Sequence, residues 1–560
     1  MKKITFLLLI SFSIAKIASA QKFETNGWHL LGYEKDSIYG INLAPAYQFL
    51  KDHNVKSTKV IVAVLDSGVD TAHEDLKNIL WRNPKEIPNN GIDDDKNGYI
   101  DDIYGWNFLG GKDGRNINKA SSEKSRVYHA YKAVYEGKTI DTNNMSLDEK
   151  YLYHTWLRSA NEIVVNTNEQ ATVTYIEVAL NALKKNDKII REDMGKDEYT
   201  VDELEAYTPK KDEAKRAKMS YLQTMKMFGM EGDAKNTEII KEIEDYVVGK
   251  KEAFDAKDNP PTDYRADIIK DNYQDFNDKY YGNNDVMANT SKHGTHVTGI
   301  IAAQRNNGIG MDGVADNVQV MTVRVVPDGD EYDKDIALGI RYAVDNGAKV
   351  INMSFGKGFS PEKKWVDEAI QYAASKDVLI VHAAGNDSKN VDIEENYPNP
   401  FNLYDRKRAE NYITVGASSD IKLTGSLAAS FSNYGKNTVN VFAPGVRIYS
   451  TLPGGNKYGN LDGTSMASPV VAGVAALLRS YFPALSAVQI KQIIEQSVTV
   501  YDSSVNTFLP GGRESTTLAS LCTTGGIVNV YKAIQIAENT KPVLKEQPKS
   551  KERVKKHAYK

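Results

Sequence analysis

Three runs of apolar, largely β-branched residues most constrain what this chain can fold into: residues 59–65, 349–353 and 378–381. Continuous runs of this kind are read as strands buried on both faces, as in a parallel sheet with helices packed on either side. Each run delivers polar or small residues at its end. The first is followed by Asp66-Ser67-Gly68, the second by Ser354-Phe355-Gly356, and the third by His382-Ala383-Ala384-Gly385-Asn386. In open α/β sheets, sites are built beyond the carboxyl ends of the strands.

Two helices are expected to add to that edge. His293 opens a small-residue helix within the run 291–303, and Gly463-Thr464-Ser465-Met466-Ala467-Ser468-Pro469 runs into the apolar segment 470–478. Pro469 has no amide hydrogen, which suits the first turn of that helix. The Ser465 hydroxyl then lies at the positive end of the helix dipole, where a developing oxyanion is stabilised. A lone serine before a helix is usually an N-cap. What raises Ser465 above that is a carboxylate, Asp66, and an imidazole, His293, in matching settings.

The chain resembles the subtilisin-like serine proteases (subtilases). The residues that carry the likeness are Val64-Leu65-Asp66-Ser67-Gly68, His293-Gly294-Thr295-His296-Val297 and the Ser465 segment, in the order Asp, His, Ser. The resemblance implies a three-layer α/β fold around a parallel central sheet. It also implies a serine endopeptidase, in which Ser465 attacks the scissile carbonyl after His293 takes its proton and Asp66 holds the imidazole. Asn386 is assigned by the same resemblance to the oxyanion. The sedolisins, which share the fold, carry acids at the places of His293 and Asn386, so the chain differs from them. His296 is read as a packed helix residue.

Substrate contacts are also implied by resemblance. Ser354, Phe355 and Gly356 match the segment that pairs with an extended substrate backbone. Gly356, Ala384 and Gly385 would wall the pocket for the residue before the cut, with Asn396 near its base. Calcium is expected from two signals. Asp93, Asp95 and Asn97 place side-chain oxygens at alternating positions, with Gly98 for the turn and Tyr99 offering its carbonyl, like the opening of an EF-hand loop. Position twelve is Tyr104, so Asp101 or Asp102 must replace the usual Glu. The second signal is resemblance alone: Asp75 and Asn307 match the family's structural calcium loop.

Residues 1–20 read as a cleaved secretory signal peptide, too short in its apolar stretch to span a bilayer. With Cys522 as the single cysteine, no intrachain disulfide is possible, and stability is expected from packing and calcium. A net charge of −4 gives no reason to expect nucleic acid or a membrane as partner. Polypeptides are the expected substrates, in the periplasm or outside the cell. The catalytic domain is assigned to residues 21–111 and 265–540, and residues 541–560 to a basic, disordered tail. Residues 21–59 are too few for the propeptide domain many subtilases carry.

Asp66 and His293 lie 227 residues apart, far more than a compact family member needs. Residues 112–264 are therefore assigned to an inserted helical subdomain. Ser146 and Thr200 begin candidate capping boxes, and Ile239, Ile240, Ile243, Tyr246 and Val247 recur at helical spacing. Two readings of the insert stay open: a tolerated surface insertion, and a lid or folding aid. The rival to an enzyme is an idle peptide-binding or scaffold protein that keeps the fold.

Overall fold

The computed structural model describes residues 26–163, 167–227, 232 and 235–543. Residues 1–20, read as a signal peptide, and all but the first three residues of the basic tail lie outside the described residues. The strands are β1 (Val60–Asp66), β2 (Gly105–Asn107), β3 (Val318–Arg324), β4 (Val350–Met353), β5 (Leu379–Ala383), β6 (Tyr412–Ser418), β7 (Val441–Pro444), β8 (Ile448–Leu452), β9 (Lys457–Leu461), β10 (Thr499–Val500) and β11 (Gly526–Ile527). Nine of them form one sheet in the order β10-β11-β7-β6-β5-β4-β1-β3-β2, and every pair but β10–β11 is parallel. The remaining two, β8 and β9, make an antiparallel hairpin.

The period of two along a strand divides the core into two layers. Val60, Val62 and Val64 of β1 face the helices Lys292–Ala302 and Thr464–Tyr481, together with Val320, Val350, Val381 and Val415. Ala63 and Leu65 point the other way, with Met321, Val323, Ile351 and Ile380, onto the helices Asp333–Asp345 and Lys363–Ser375. Helix, sheet, helix is the expected three-layer order. The first strand in sequence, β1, sits between β3 and β4, so the strand order reverses there. That reversal opens a crevice at the carboxyl end of β1, where Asp66 is delivered.

The insert is helical, as expected, and has two parts. Glu123–Tyr135 and Leu147–Glu162 form a hairpin whose core includes Val127, Tyr128, Tyr135 and Trp156. Thr167–Met194, Val201–Ala206, Asp212–Met227 and Asn236–Asp255 form a bundle with its own core around Leu183, Tyr221, Ile239 and Ile243. Both capping boxes form, at Ser146 with Glu149 and at Thr200 with Glu203. In the last helix Ile239, Ile243 and Val247 are buried, while Tyr246 stays 46% exposed, because its position turns away from the narrow stripe that the bundle covers. Among the described residues, no helix is long and apolar enough to cross a membrane.

Candidate active site

Asp66 and His293 meet at the carboxyl end of β1, and Ser465 meets Ser354 just beyond the end of the neighbouring strand β4. His293 is the second residue of its helix, and Gly294 lets that helix lie against the Asp66 turn. A Cβ on Gly294 would fall 2.2 Å from the Gly68 carbonyl oxygen. His293 Nδ1 and Asp66 Oδ1 are 2.8 Å apart, and Asp66 is buried while the imidazole side chain is 36% exposed. Burial disfavours the charged imidazole, but the Asp66 charge and hydrogen bond outweigh it and raise the His293 pKa above 6.5. A proton held at Nδ1 by the carboxylate leaves the Nε2 lone pair free to accept another. His296 is buried in the same helix against the Gly459 carbonyl, 3.1 Å from Nε2, as a packed residue.

Ser465 is the second residue of the helix Thr464–Tyr481, so Pro469 lies inside the helix rather than in its first turn. The difference has a structural counterpart. With no N–H at Pro469, the Ser465 carbonyl loses its partner four residues on. The Ser354 hydroxyl donates to that carbonyl at 2.9 Å instead, and the Ser465 hydroxyl donates to the Ser354 carbonyl at 3.1 Å. Asn352 Nδ2 donates to Ser354 Oγ at 3.0 Å, and Ser468 Oγ donates to Asn352 Oδ1 at 2.9 Å. A buried polar chain thus fixes the backbone beneath Ser465. Among the described residues no hydrogen bond joins Ser465 to His293.

Asn386 stands beside the start of that helix. Its Oδ1 accepts from the Thr464 N–H at 2.8 Å and from the Thr464 hydroxyl at 2.9 Å, which orients the amide and leaves Nδ2 facing outward. The Ser465 N–H has no protein acceptor among the described residues. The Asn386 amide and the Ser465 N–H thus both stand at the start of this helix, on either side of Thr464. Thr464 was not singled out from sequence, although its place beside the serine is a usable signal.

Of the substrate-binding candidates, Ser354 and Phe355 are buried and Gly356 is an exposed edge. His382 holds the Phe355 carbonyl through Nε2 at 2.8 Å, and burial lowers its pKa to about 4, so it is neutral. Asn396 Oδ1 lies 3.2 Å from where a Gly356 Cβ would be, and Asn396 Nδ2 donates to the Ala384 carbonyl at 3.1 Å. Gly385 donates its N–H to Thr464 Oγ1 at 3.0 Å. Asn396 thus links Gly356 to Ala384. Arg324, not found from sequence, is fully buried opposite Asp66 in the β1–β3 register. It donates to the Ser67 and Ile117 carbonyls, Thr290 Oγ1 and Asn107 Oδ1, tying the Asp66 turn to the loop before His293.

In the acidic loop, ligand oxygens of Asp93 and Asp95 lie within 4.8 Å of each other and of Glu86, which the sequence reading missed. Asp101 faces away: its positive φ of 53° turns the carboxylate to the Asn90 and Gly91 N–H groups. Asn97 donates its N–H to Asp93 and Asp95, and its Oδ1 accepts from the Tyr99 N–H. Asp75 and Asn307 are neighbours, as the resemblance implies. Asp75 accepts there from Asn307 Nδ2, the Met311 N–H and the Tyr458 hydroxyl, so an ion would have to displace protein donors.

A nucleophile at a helix start, an imidazole–carboxylate pair and flanking N–H donors are the parts of an acyl-transfer site. The family model described as the subtilase family matches residues 57–520. The chain is 40% identical over 240 residues to a thermophilic serine proteinase of Bacillus sp. (strain AK1), across 43% of this chain and 53% of that protein. It is 37% identical over 274 residues to thermitase of Thermoactinomyces vulgaris, across 48% of this chain and 85% of thermitase. It is 39% identical over 213 residues to subtilisin BL of Lederbergia lenta, across 38% of this chain and 72% of that protein. The chain thus spans about half the length of the first of these, and 29% of the cell wall-associated protease of Bacillus subtilis that it also matches. With the family's pattern running from before Asp66 to beyond Ser465, the chain belongs to the subtilase family of serine peptidases.

Proposed function

We propose that this chain is an exported serine endopeptidase that cleaves extended polypeptide segments through Asp66, His293 and Ser465. The observation that carries the reading is the 2.8 Å Asp66–His293 contact, with Ser465 at a helix start as the nucleophile that pair would serve. His293 Nε2 takes the Ser465 proton as Oγ bonds to the scissile carbonyl carbon, and the carbonyl oxygen becomes an oxyanion between the Ser465 N–H and Asn386 Nδ2. The C–N bond then breaks, with the His293 proton going to the departing amine and the acyl group left as a Ser465 ester. Water, deprotonated by His293, hydrolyses that ester and restores the hydroxyl. The exposed edge at Gly356 supplies main-chain pairing for an extended substrate, which favours segments without fixed structure. Export rests on the N-terminal sequence pattern.

Calcium is part of the proposal. Glu86, Asp93 and Asp95 supply hard oxygen ligands in one cluster, which fits a calcium ion better than a softer metal. A bound ion would neutralise the clustered charge and brace the loop ahead of β2.

Labelling by a fluorophosphonate tests the activity directly. The reading expects covalent labelling at Ser465 that disappears in Ser465→Ala. A folded protein that is not labelled with calcium present would refute it and favour the idle scaffold.

A further inference from the structure

The insert is fastened to the catalytic domain at two places, one next to Gly356 and one next to His293. On one side lies Lys357, the residue after Gly356. Its ammonium is buried, 2.7 Å from Glu123 and 2.8 Å from Asp333, with Glu123 at the start of the insert hairpin. Arg126 adds a 2.8 Å pair to Glu123 and donates to the Asp330 and Glu331 carbonyls at 3.0 and 2.9 Å. The Glu123 N–H donates to Asp330, and Tyr151 donates to the Ser360 carbonyl at 2.9 Å. On the other side lies Lys292, the residue before His293, with Glu238 of the insert bundle 3.8 Å away.

The helix Asn236–Asp255 joins these two sides. Its first turn carries Glu238, and the Ala256 carbonyl that ends it meets His129 in the hairpin helix. Twenty residues make a rod of about 30 Å, with a diameter of about 10–12 Å including side chains. The two fastenings differ in strength. The Glu123–Arg126–Lys357–Asp333 cluster is buried, and removing one member would strand a charge away from water. The Glu238–Lys292 pair is about half exposed on both partners, which makes it a weak contact.

We propose that this helix is a strap across the substrate groove, anchored at the hairpin and lightly latched beside His293, which sorts substrates by cross-section. Flexible peptides pass beneath it to Ser465, and folded domains are held off. The proposal rests on the peptidase reading above. It turns the insert from a tolerated surface addition into a specificity element.

The test uses the full chain, with one cleavable peptide presented free or held between two folded domains by Gly-Ser linkers. A linker of about 4 residues spans roughly 10–12 Å, no more than the strap's own width, whereas about 40 residues span roughly 35 Å. The wild type should cleave the long-linked substrate at least about tenfold faster in kcat/KM than the short-linked one. Glu238→Lys sets two like charges against each other at an exposed site, so folding is not at risk. It should cut that ratio at least about threefold while leaving kcat/KM on the free peptide within about twofold. A wild-type ratio near one, or a ratio that Glu238→Lys does not move, overturns the strap. Loss of both fluorophosphonate labelling and free-peptide cleavage in the wild type overturns the peptidase reading instead, and the strap with it.

Discussion

Replacing Asn386 with alanine would remove one of the two N–H donors proposed to hold the oxyanion, and would leave the Ser465 N–H in place. The Asn386 amide is held by the Thr464 N–H and hydroxyl, so its Nδ2 is set in position before the oxyanion forms. A preorganised donor of this kind typically contributes about 2.7–4 kcal/mol, or roughly 10²–10³ in kcat. KM should stay nearly constant, because the contact strengthens as charge develops on the oxygen and is weak in the ground state. Thr464→Val removes the hydroxyl that donates to Oδ1 and accepts from Gly385, while the Thr464 N–H remains. Losing that hydrogen bond is worth about 1 kcal/mol, or roughly a fivefold loss in kcat. The effect should shrink in the Asn386→Ala background, because Thr464 acts largely through the amide it orients. Steady-state kinetics on a chromogenic peptide provides the assay, with thermal melts to confirm that Asn386→Ala stays folded despite leaving the buried Thr464 donors without their acceptor, a cost of about 1–3 kcal/mol. A kcat loss below about tenfold, or a loss expressed mainly in KM, would refute the oxyanion role.

Two further outcomes follow from the same geometry. The proposed mechanism needs neutral His293, whose pKa is raised by Asp66 against the opposing effect of burial. Activity should therefore rise with pH through a limb above 6.5; Asp66→Asn should move that limb to lower pH and cut kcat by roughly 10⁴. A limb unmoved in Asp66→Asn would sink the pairing. Calcium at 100 times its Kd should stabilise the fold by about 2.7 kcal/mol, seen as a lower melting temperature after chelation. Asp93→Asn with Asp95→Asn should abolish that response and Asp101→Asn should keep it; the reverse pattern would place the ion elsewhere.

Much of the fold and site is legible in the residues alone, for a local reason. A buried parallel strand declares itself by an unbroken apolar run, and β1, β4 and β5 all do so within seven residues or fewer. Asp66, His293 and Ser465 sit at the ends or starts of such elements, so their direction follows from the element itself. The capping boxes at Ser146 and Thr200 likewise depend on residues three apart.

What the sequence does not carry is pairing over distance. The Ser354 hydroxyl reaches across 111 residues to the carbonyl that Pro469 leaves without a partner, which is why the proline sits inside the helix rather than at its start. Glu86 faces Asp93 and Asp95 while Asp101 turns away, because a local reversal of the backbone, not ligand spacing, decides where a carboxylate points. The position of the insert is the largest case. Its helices can be read from their own periodicity, but Glu123 finds Lys357 across 234 residues, and Glu238 lies beside Lys292. Sequence thus determined the elements and the chemistry at their ends, because both depend on neighbouring residues. Tertiary structure alone decided which buried groups satisfy one another and where the insert meets the catalytic domain, because those contacts exist only after distant segments have packed.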